Sequence, residues 1–125
     1  MSIKGIGTDL LDQGRIAKVI ERHGERFSQR ILTVQEMLVW QQRGCSVNYL
    51  AKRFAAKEAI AKALGTGIAQ GISFQQMNIA SDDAGKPVVT LSGQALIRQQ
   101  TLNAEQVLLS LSDEGEMILA FAILS

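Results

Sequence analysis

The spacing of hydrophobic residues changes partway along the chain, and the change predicts two kinds of secondary structure. Near the start, the segment Ile3 to Thr8 is short, glycine-rich and typical of a strand. From about Asp12 to Arg22 apolar residues then recur every three or four positions, with Ile16, Val19 and Ile20 on one side of a predicted helix. The chain is therefore expected to begin with a strand followed by a helix.

Two further helices are marked by signals at their ends. Thr33 to Glu36 has the sequence of a capping box, so a second helix is predicted to begin at about Val34. A third helix is predicted from about Val47 to Leu64, because helical spacing ends there at Gly65-Thr66-Gly67. The first half of the chain is thus mainly helical.

Strand patterns dominate the second half. The predicted elements are a hairpin of Met77–Ser81 and Pro87–Leu91, a helix from Gly93 to Leu102, and a hairpin of Gln106–Ser112 and Glu116–Leu124. Turn residues from Asp82 to Lys86 and from Asp113 to Gly115 join the strands of each hairpin. This order of elements predicts an α+β fold with an antiparallel sheet, in a single domain over residues 1–125.

The last predicted strand has an unusual pattern. Met117 to Leu124 lacks the alternation of apolar and polar residues that a strand with one wet face shows. A strand buried on both faces needs cover that a chain of 125 residues can rarely supply alone. Two interpretations stand equally: this strand lies in the core of an oligomer, or it lies centrally under helices of the same chain.

Composition limits the classes of function. Hydrophobic residues make up 46% and charged residues 20%, as in ordinary globular proteins, and a net charge of +1 argues against a surface built throughout for nucleic acid. The single cysteine, Cys45, allows no disulfide within the chain, which favours a reducing cytoplasm, and we interpret it as an incidental thiol. No N-terminal signal pattern is found, and the longest apolar run is too short to span a bilayer.

The third helix carries charges on the side that packs. Its apolar stripe consists of Leu50, Phe54, Ala61 and Leu64. Lys57 falls inside this stripe, and Arg53 lies on one shoulder of it. Glu58 and Lys62 lie on the other shoulder. Charges at the edge of a core need partners, because burying an unpaired ion is costly.

Two interpretations fit these charges. Glu58 and Lys62 have the spacing of a helical salt bridge, and long cationic side chains can extend toward water. Alternatively, the cations contact phosphate oxygens of a ligand while Glu58 holds Mg²⁺. We favour the ligand site, because several cations surround one carboxylate and Gly65-Thr66-Gly67 follows at once. The second carboxylate is Asp9, for which spacing alone slightly favours the different role of N-cap of the first helix.

Several blocks of the sequence resemble the carrier-protein synthase group of the phosphopantetheinyl transferases. They are Gly5-Ile6-Gly7-Thr8-Asp9, Arg15-Ile16, Arg53-Phe54-Ala55-Ala56-Lys57-Glu58-Ala59, Lys62-Ala63-Leu64-Gly65-Thr66-Gly67, Phe27 through Leu32, and Gly85-Lys86-Pro87. The two blocks of the third helix are the specific ones, and the resemblance covers nearly the whole chain. It implies a 4′-phosphopantetheinyl transferase-like fold with a long central helix. It also implies transfer of the 4′-phosphopantetheine group from coenzyme A to a serine of apo acyl carrier protein, releasing 3′,5′-ADP, for fatty acid biosynthesis.

The resemblance also implies roles for individual residues. Asp9 and Glu58 would hold Mg²⁺, and Lys62 would offset phosphate charge. Glu58 and Lys62 would thus be catalytic, with Glu58 or a metal-bound water as general base. The coenzyme A contacts would be Arg53, Lys62, Gly65, Thr66, Gly85, Lys86 and Pro87. The last three also fit a simple turn. Members of the group form trimers with active sites between subunits, which agrees with the oligomer interpretation of the last strand.

The first helix carries a basic stripe that could bind a partner. Arg15, Lys18 and Arg22 are spaced as one basic stripe on the first helix. The resemblance implies that Arg15 contacts the acidic acyl carrier protein, and helical geometry adds Lys18 and Arg22; the alternative is a solvated face. Many members have a histidine where this chain has Asp113, so no role of that histidine carries over, and we interpret Asp113 as a turn residue.

Two other classes of function compete with the transferase. A nucleic-acid binder using the basic third helix is disfavoured, because the net charge is +1 and only 5% of residues are aromatic. A non-catalytic oligomeric scaffold is the other alternative. The transferase is the leading hypothesis.

Overall fold

A computed structural model describes residues 2–125. The elements in chain order are β1 (Gly5–Asp12), α1 (Gln13–His23), α2 (Glu25–Ile31), α3 (Val34–Gln42), α4 (Val47–Ala63), a 3₁₀ turn (Phe74–Gln76), β2 (Met77–Ser81), β3 (Pro87–Leu91), α5 (Gly93–Thr101), β4 (Val107–Glu114) and β5 (Met117–Leu124). The predicted helices and hairpins are present within a few residues of their expected bounds. The α+β class is confirmed. Within the described range, no helix combines the length and apolarity needed to cross a membrane.

The strands form two antiparallel sheets, where the sequence predicted one. The first contains β1, β5 and β4 in that order, and the second is the hairpin of β2 and β3. α4 packs against β1 and β5 and is buried over most of its surface, so it is the central helix of the fold. The two sheets therefore lie around one helix that carries most of the predicted site.

Close approach of β1 to α4 explains the glycines at the start of the chain. A Cβ atom added at Gly5 would overlap the carbonyl oxygen of Ala63, and one added at Gly7 would overlap that of Ala59. The facing side of α4 is equally small, because it is rich in alanine. Only a strand without side chains at these two positions can lie this close to the helix backbone.

The structure corrects the predicted end of the first strand. β1 continues to Asp12, so Asp9 lies in the middle of a strand. The N-cap of α1 is Asp12, whose side chain accepts a hydrogen bond from the Gly14 amide at 2.8 Å. The interpretation of Asp9 as an N-cap is therefore wrong, and its carboxylate is free for another role.

The sequence did not predict two of the elements, and the turn between β4 and β5 was placed too early. α2 was not predicted because it is only seven residues long and separated from α1 by Gly24 alone. The 3₁₀ turn before β2 was also missed. β4 extends to Glu114, so Asp113 is paired with Ile118 inside the sheet. The interpretation of Asp113 as a turn residue is wrong.

β5 is the central strand of its sheet, and its two faces have different environments. Ile118, Ala120, Ala122 and Leu124 are fully buried on the α4 side. The opposite face is apolar along β5 and uncovered by this chain, and its exposed apolar residues are Ile6, Leu10, Leu108, Met117 and Leu119. Cover by helices of the same chain, one of the two interpretations of this strand, thus applies to one face only.

Candidate functional site

Asp9 and Glu58 lie on neighbouring elements, with Lys62 beside them. Asp9 shares the helix-facing side of β1 with Gly5 and Gly7, because alternate strand residues point the same way. The Lys62 ammonium lies 3.3 Å from Asp9 Oδ1 and donates to the Thr8 carbonyl oxygen at 2.9 Å. Lys62 is half-exposed, whereas the Asp9 side chain is only 16% exposed. The structure therefore brings together the three residues predicted to hold the metal and the phosphates.

The pKa of Glu58 reflects a crowded anionic site. Burial raises the pKa of this carboxyl above its ordinary value, and the neighbouring charge of Asp9 raises it further. Lys62 and Arg30 oppose these effects. A divalent cation bound between the two carboxylates would relieve the unfavourable charge of Glu58.

The helical salt bridge considered for α4 is not formed. In residues 2–125 the three ion pairs all join α4 to another element: Lys52 to Asp113, Lys57 to Glu36, and Lys62 to Asp9. Spacing along one helix could not reveal these partners, because they lie 21 to 61 residues away in the sequence. The charges of α4 are thus satisfied by the tertiary fold.

Lys57 belongs to the core rather than to a ligand site. Its side chain is fully buried, and its ammonium donates to Glu36 Oε1 and to the Ile31 carbonyl oxygen, both at 2.6 Å. Burial lowers the pKa of Lys57, and Glu36 opposes this effect. The expectation that the α4 cations jointly surround a phosphate is wrong for Lys57. Arg30 on α2, which sequence reasoning missed, is instead the second cation acting on Glu58.

Arg53 faces a second site on the other side of α4. The buried guanidinium lies 4.6 Å from the centre of the Tyr49 ring, and its Nε atom has no hydrogen-bond partner. Arg43 stacks over the same ring at 5.2 Å. Burial raises the pKa of Tyr49, although the neighbouring charge of Arg53 opposes the effect. An unpaired buried guanidinium nitrogen at a cavity wall favours an anionic ligand.

A cavity of about 710 Å³ lies in front of Arg53. Three further residues predicted to contact coenzyme A, Gly85, Lys86 and Pro87, line it. They belong to the β2–β3 turn, where Asp82 Oδ1 accepts hydrogen bonds from the Ala84 and Lys86 amides. Arg43 and Lys52 also line this cavity, and the sequence analysis assigned neither of them. We call this space the basic cavity.

The predicted site residues thus form two groups. Arg53 and Lys62 are nine residues apart on α4, which places them about 14 Å apart along the helix and on opposite sides of it. Gly65 and Thr66 follow α4 at the Lys62 end, where Arg98 donates to the Leu64 carbonyl oxygen at 2.9 Å. One chain does not bring the carboxylates and the basic cavity together.

The donor set suits Mg²⁺ better than a transition metal. Across residues 2–125, no three or more His, Cys, Asp or Glu side chains converge as a metal cluster. Mg²⁺ usually takes only one or two protein carboxylates, with water and ligand phosphates completing its octahedron. Asp9 and Glu58 fit that requirement.

The predicted basic stripe is accessible to a partner. Arg15, Lys18 and Arg22 are all exposed on α1. Sequence reasoning missed that α2 extends the positive surface, because its Arg26 and Arg30 line a cavity of about 410 Å³ together with Phe27 and with His23 of α1. The short α2 was the missing signal, because its arginines gain a common face only as a helix.

Comparisons with known proteins show the family to which the chain belongs. Residues 5–122 match the family model described as the 4′-phosphopantetheinyl transferase superfamily. The chain is 50% identical to the holo-[acyl-carrier-protein] synthase of Shewanella amazonensis over 99% of both proteins. The crystal structure of the Neisseria meningitidis synthase shares 46% identity, with a TM-score of 0.91 and 99% of both chains covered. A Helicobacter pylori synthase in complex with coenzyme A shares 28% identity, with a TM-score of 0.84, covering 96% of this chain and 99% of that one.

Proposed function

Because this chain belongs to the 4′-phosphopantetheinyl transferase superfamily, we propose that it is a holo-[acyl-carrier-protein] synthase. It transfers the 4′-phosphopantetheine group from coenzyme A to a serine of apo acyl carrier protein and releases 3′,5′-ADP. The observation that carries the proposal is that Asp9 and Glu58 lie close together with Lys62 beside them. They lie where β1 packs closely against α4, a contact that requires glycine at positions 5 and 7. The coenzyme A complex of the H. pylori relative supports the choice of donor. A cytoplasmic location stays a prediction.

Asp9 and Glu58 are the residues that would hold Mg²⁺, which supplies positive charge to the coenzyme A pyrophosphate when bound. Lys62 adds a second positive charge, and it can exchange Asp9 for a phosphate oxygen because its side chain is half-exposed. Phosphoryl transfer depends mainly on orientation and charge neutralisation, and these residues would supply the charge neutralisation at the pyrophosphate.

The complete site is proposed to form between copies of the chain. The carboxylates and the basic cavity lie on opposite sides of α4, and the outer face of the β1–β5–β4 sheet is apolar along β5 and uncovered. Association through that face would bury it and would let the basic cavity of one copy serve the carboxylates of another. A homotrimer, as the group resemblance implies, is the proposed assembly.

The acyl carrier protein is proposed to bind along α1. Arg15, Lys18 and Arg22 present positive charge on one exposed helix. An acidic carrier is attracted to such a surface mainly during encounter, so binding should weaken with added salt. An Arg15→Glu variant should raise KM for the carrier and leave KM for coenzyme A unchanged.

A mass-shift assay tests the proposed reaction. The protein is incubated with coenzyme A, Mg²⁺ and apo acyl carrier protein, and the carrier is then weighed by mass spectrometry. We expect the carrier to gain one phosphopantetheine, with transfer lost after chelation and restored by Mg²⁺. A carrier of unchanged mass would refute the proposed function.

Paired variants test the metal assignment. Asp9→Asn and Glu58→Gln should each abolish transfer and weaken Mg²⁺ binding in calorimetric titrations with coenzyme A present. Asp12→Asn is the matched control, because it changes an acid of the same strand whose side chain caps α1. Full activity in Asp9→Asn or Glu58→Gln would remove the metal role from that residue.

A further inference from the structure

An ion pair between α4 and β4 lies at the rim of the basic cavity. Lys52, which lines the cavity, has its ammonium 3.4 Å from Asp113 Oδ1. Asp113 reaches α4 because it shares a sheet face with its paired residue Ile118, which is buried on the α4 side. Asn48, one turn before Lys52, donates to the other carboxylate oxygen at 3.3 Å. Asp113 is therefore held by two residues of α4.

This pair is the single ion pair, within residues 2–125, that involves a cation of the basic cavity. The cavity contains four cations: Arg43, Lys52, Arg53 and Lys86. The two arginines stack on Tyr49, and the three ion pairs of the described chain include neither them nor Lys86. The carboxylates of Asp82 and Asp83 also line the cavity, but neither forms an ion pair with these cations, so Asp113 holds the one cavity cation that is directly paired.

The environment of the Lys52–Asp113 ion pair allows the two side chains to separate at little cost. Both side chains are about one-third exposed, at 30% for Lys52 and 39% for Asp113, so neither loses much hydration or packing when they part. Asp113 keeps the hydrogen bond from Asn48 after Lys52 leaves. A phosphate offers Lys52 a more highly charged acceptor than a carboxylate does. Exchange of Asp113 for a ligand phosphate is therefore favoured once a ligand enters.

We propose that Asp113 is an internal counter-ion that competes with ligand phosphate for Lys52 and so sets the affinity of the basic cavity for its ligand. The proposal rests on the proposed function, which makes the phosphate-bearing nucleotide end of coenzyme A the ligand. Asp113 is a positioning residue here, because it acts through Lys52 and not on the ligand. When 3′,5′-ADP leaves, Asp113 recaptures Lys52, which favours release of this product.

The test is a double-mutant cycle with 3′,5′-ADP as the probe, measured by calorimetry at low ionic strength. Asp113→Asn keeps a partner for Asn48 but removes the charge, and it should tighten binding about two- to five-fold. Lys52→Met should weaken binding, and adding Asp113→Asn to it should give no further gain. Adenosine, which has no phosphate, should bind all four proteins equally.

A charge-matched control separates the pair from the general field of the protein. Glu105→Gln makes the same change in net charge at an exposed residue that does not line the cavity, and it should leave the Kd of 3′,5′-ADP unchanged. Raising the salt concentration should shrink the gain from Asp113→Asn, because screening weakens competition between exposed charges.

The possible results distinguish failure of the counter-ion role from failure of the proposed function. An unchanged Kd in Asp113→Asn, or a gain that persists in the Lys52→Met background, overturns the counter-ion role while wild-type transfer still supports the proposed function. A gain of equal size for adenosine also overturns it, since the effect would then not involve phosphate. If the wild type neither binds 3′,5′-ADP nor modifies the carrier, the proposed function fails and the counter-ion role fails with it.

Discussion

Replacing Lys57 by methionine tests how much of the fold depends on one buried ion pair. The Lys57 ammonium is fully buried and contacts Glu36 Oε1 at 2.6 Å. The Glu36 carboxylate also accepts hydrogen bonds from the Thr33 amide at 2.9 Å and the Ile79 amide at 2.8 Å. Through these contacts α4 is joined to the start of α3 and to β2. Methionine matches the length of lysine but leaves Glu36 without a cation.

The expected loss of folding stability in Lys57→Met follows from the environment that remains around Glu36. Its carboxylate would stay 2% exposed with two backbone donors and no balancing charge. Breaking a buried pair by removing one partner costs about 3–5 kcal/mol. For a chain of this size, that loss lowers the melting temperature by roughly 10–25 °C. It is also a large share of the roughly 5–15 kcal/mol that stabilises a typical domain.

Urea unfolding of three variants measures this cost. Lys52→Met is the matched control, because it removes a lysine of the same helix whose ion pair is exposed, and it should cost no more than about 1 kcal/mol. Glu36→Gln combined with Lys57→Met should be more stable than Lys57→Met alone, since no buried charge is then unpaired. The midpoints are compared at equal m-values. The reasoning is refuted if Lys57→Met costs no more than Lys52→Met, or if the double variant is no more stable than Lys57→Met alone.

Three further predictions concern the contacts around the site. Gly7→Ala should both lower the urea midpoint and abolish transfer, because the added Cβ overlaps the α4 backbone and pushes Asp9 away from Glu58. A stable and active Gly7→Ala protein would contradict the close contact between β1 and α4. Leu119→Lys on the uncovered sheet face should shift the protein to monomers in analytical ultracentrifugation and abolish transfer, whereas the exposed Ile97→Lys on α5 should not. Glu58→Gln should stabilise the metal-free protein at neutral pH, because the raised pKa of Glu58 means that its ionised form costs folding energy. That advantage should fade as the pH falls through the raised pKa toward the ordinary value, and a gain that is constant with pH would contradict it.

The sequence predicted the elements of this fold better than the partners of its charged side chains. The capping box at Thr33 was predicted, and both of its hydrogen bonds are present. The same glutamate, Glu36, also binds Lys57 and the Ile79 amide, which no local pattern indicated. A capping motif is a property of four adjacent residues, whereas a buried ion pair depends on how distant elements pack. Periodicity therefore identified which α4 charges needed partners, but not the partners themselves.

The helical wheel also grouped the predicted ligand-binding residues of α4 around one side of the helix, whereas they face two separate sites. Arg53 and Glu58 were assigned to opposite shoulders of one apolar stripe, as on a helix with one packed side. α4 is instead enclosed on most sides, so its shoulders face separate sites. This difference could not be predicted from α4 alone, because enclosure depends on the sheet, on α1 and on α2. It is also what makes an assembled site between copies a necessary part of the proposed function.

The position of Asp9 against α4 could have been predicted from the sequence alone. Gly5, Gly7, Asp9 and Leu11 are alternate residues, so they share one face of any strand that contains them all. Two positions without side chains on that face indicate a close neighbour, and a carboxylate two residues later must then point along the same neighbour. The strand was predicted to end at Thr8, and this error hid the alternation. Extended to Asp12, the same pattern places Asp9 against α4 without any resemblance to a known family, and the Lys62 contact at 3.3 Å agrees with that placement.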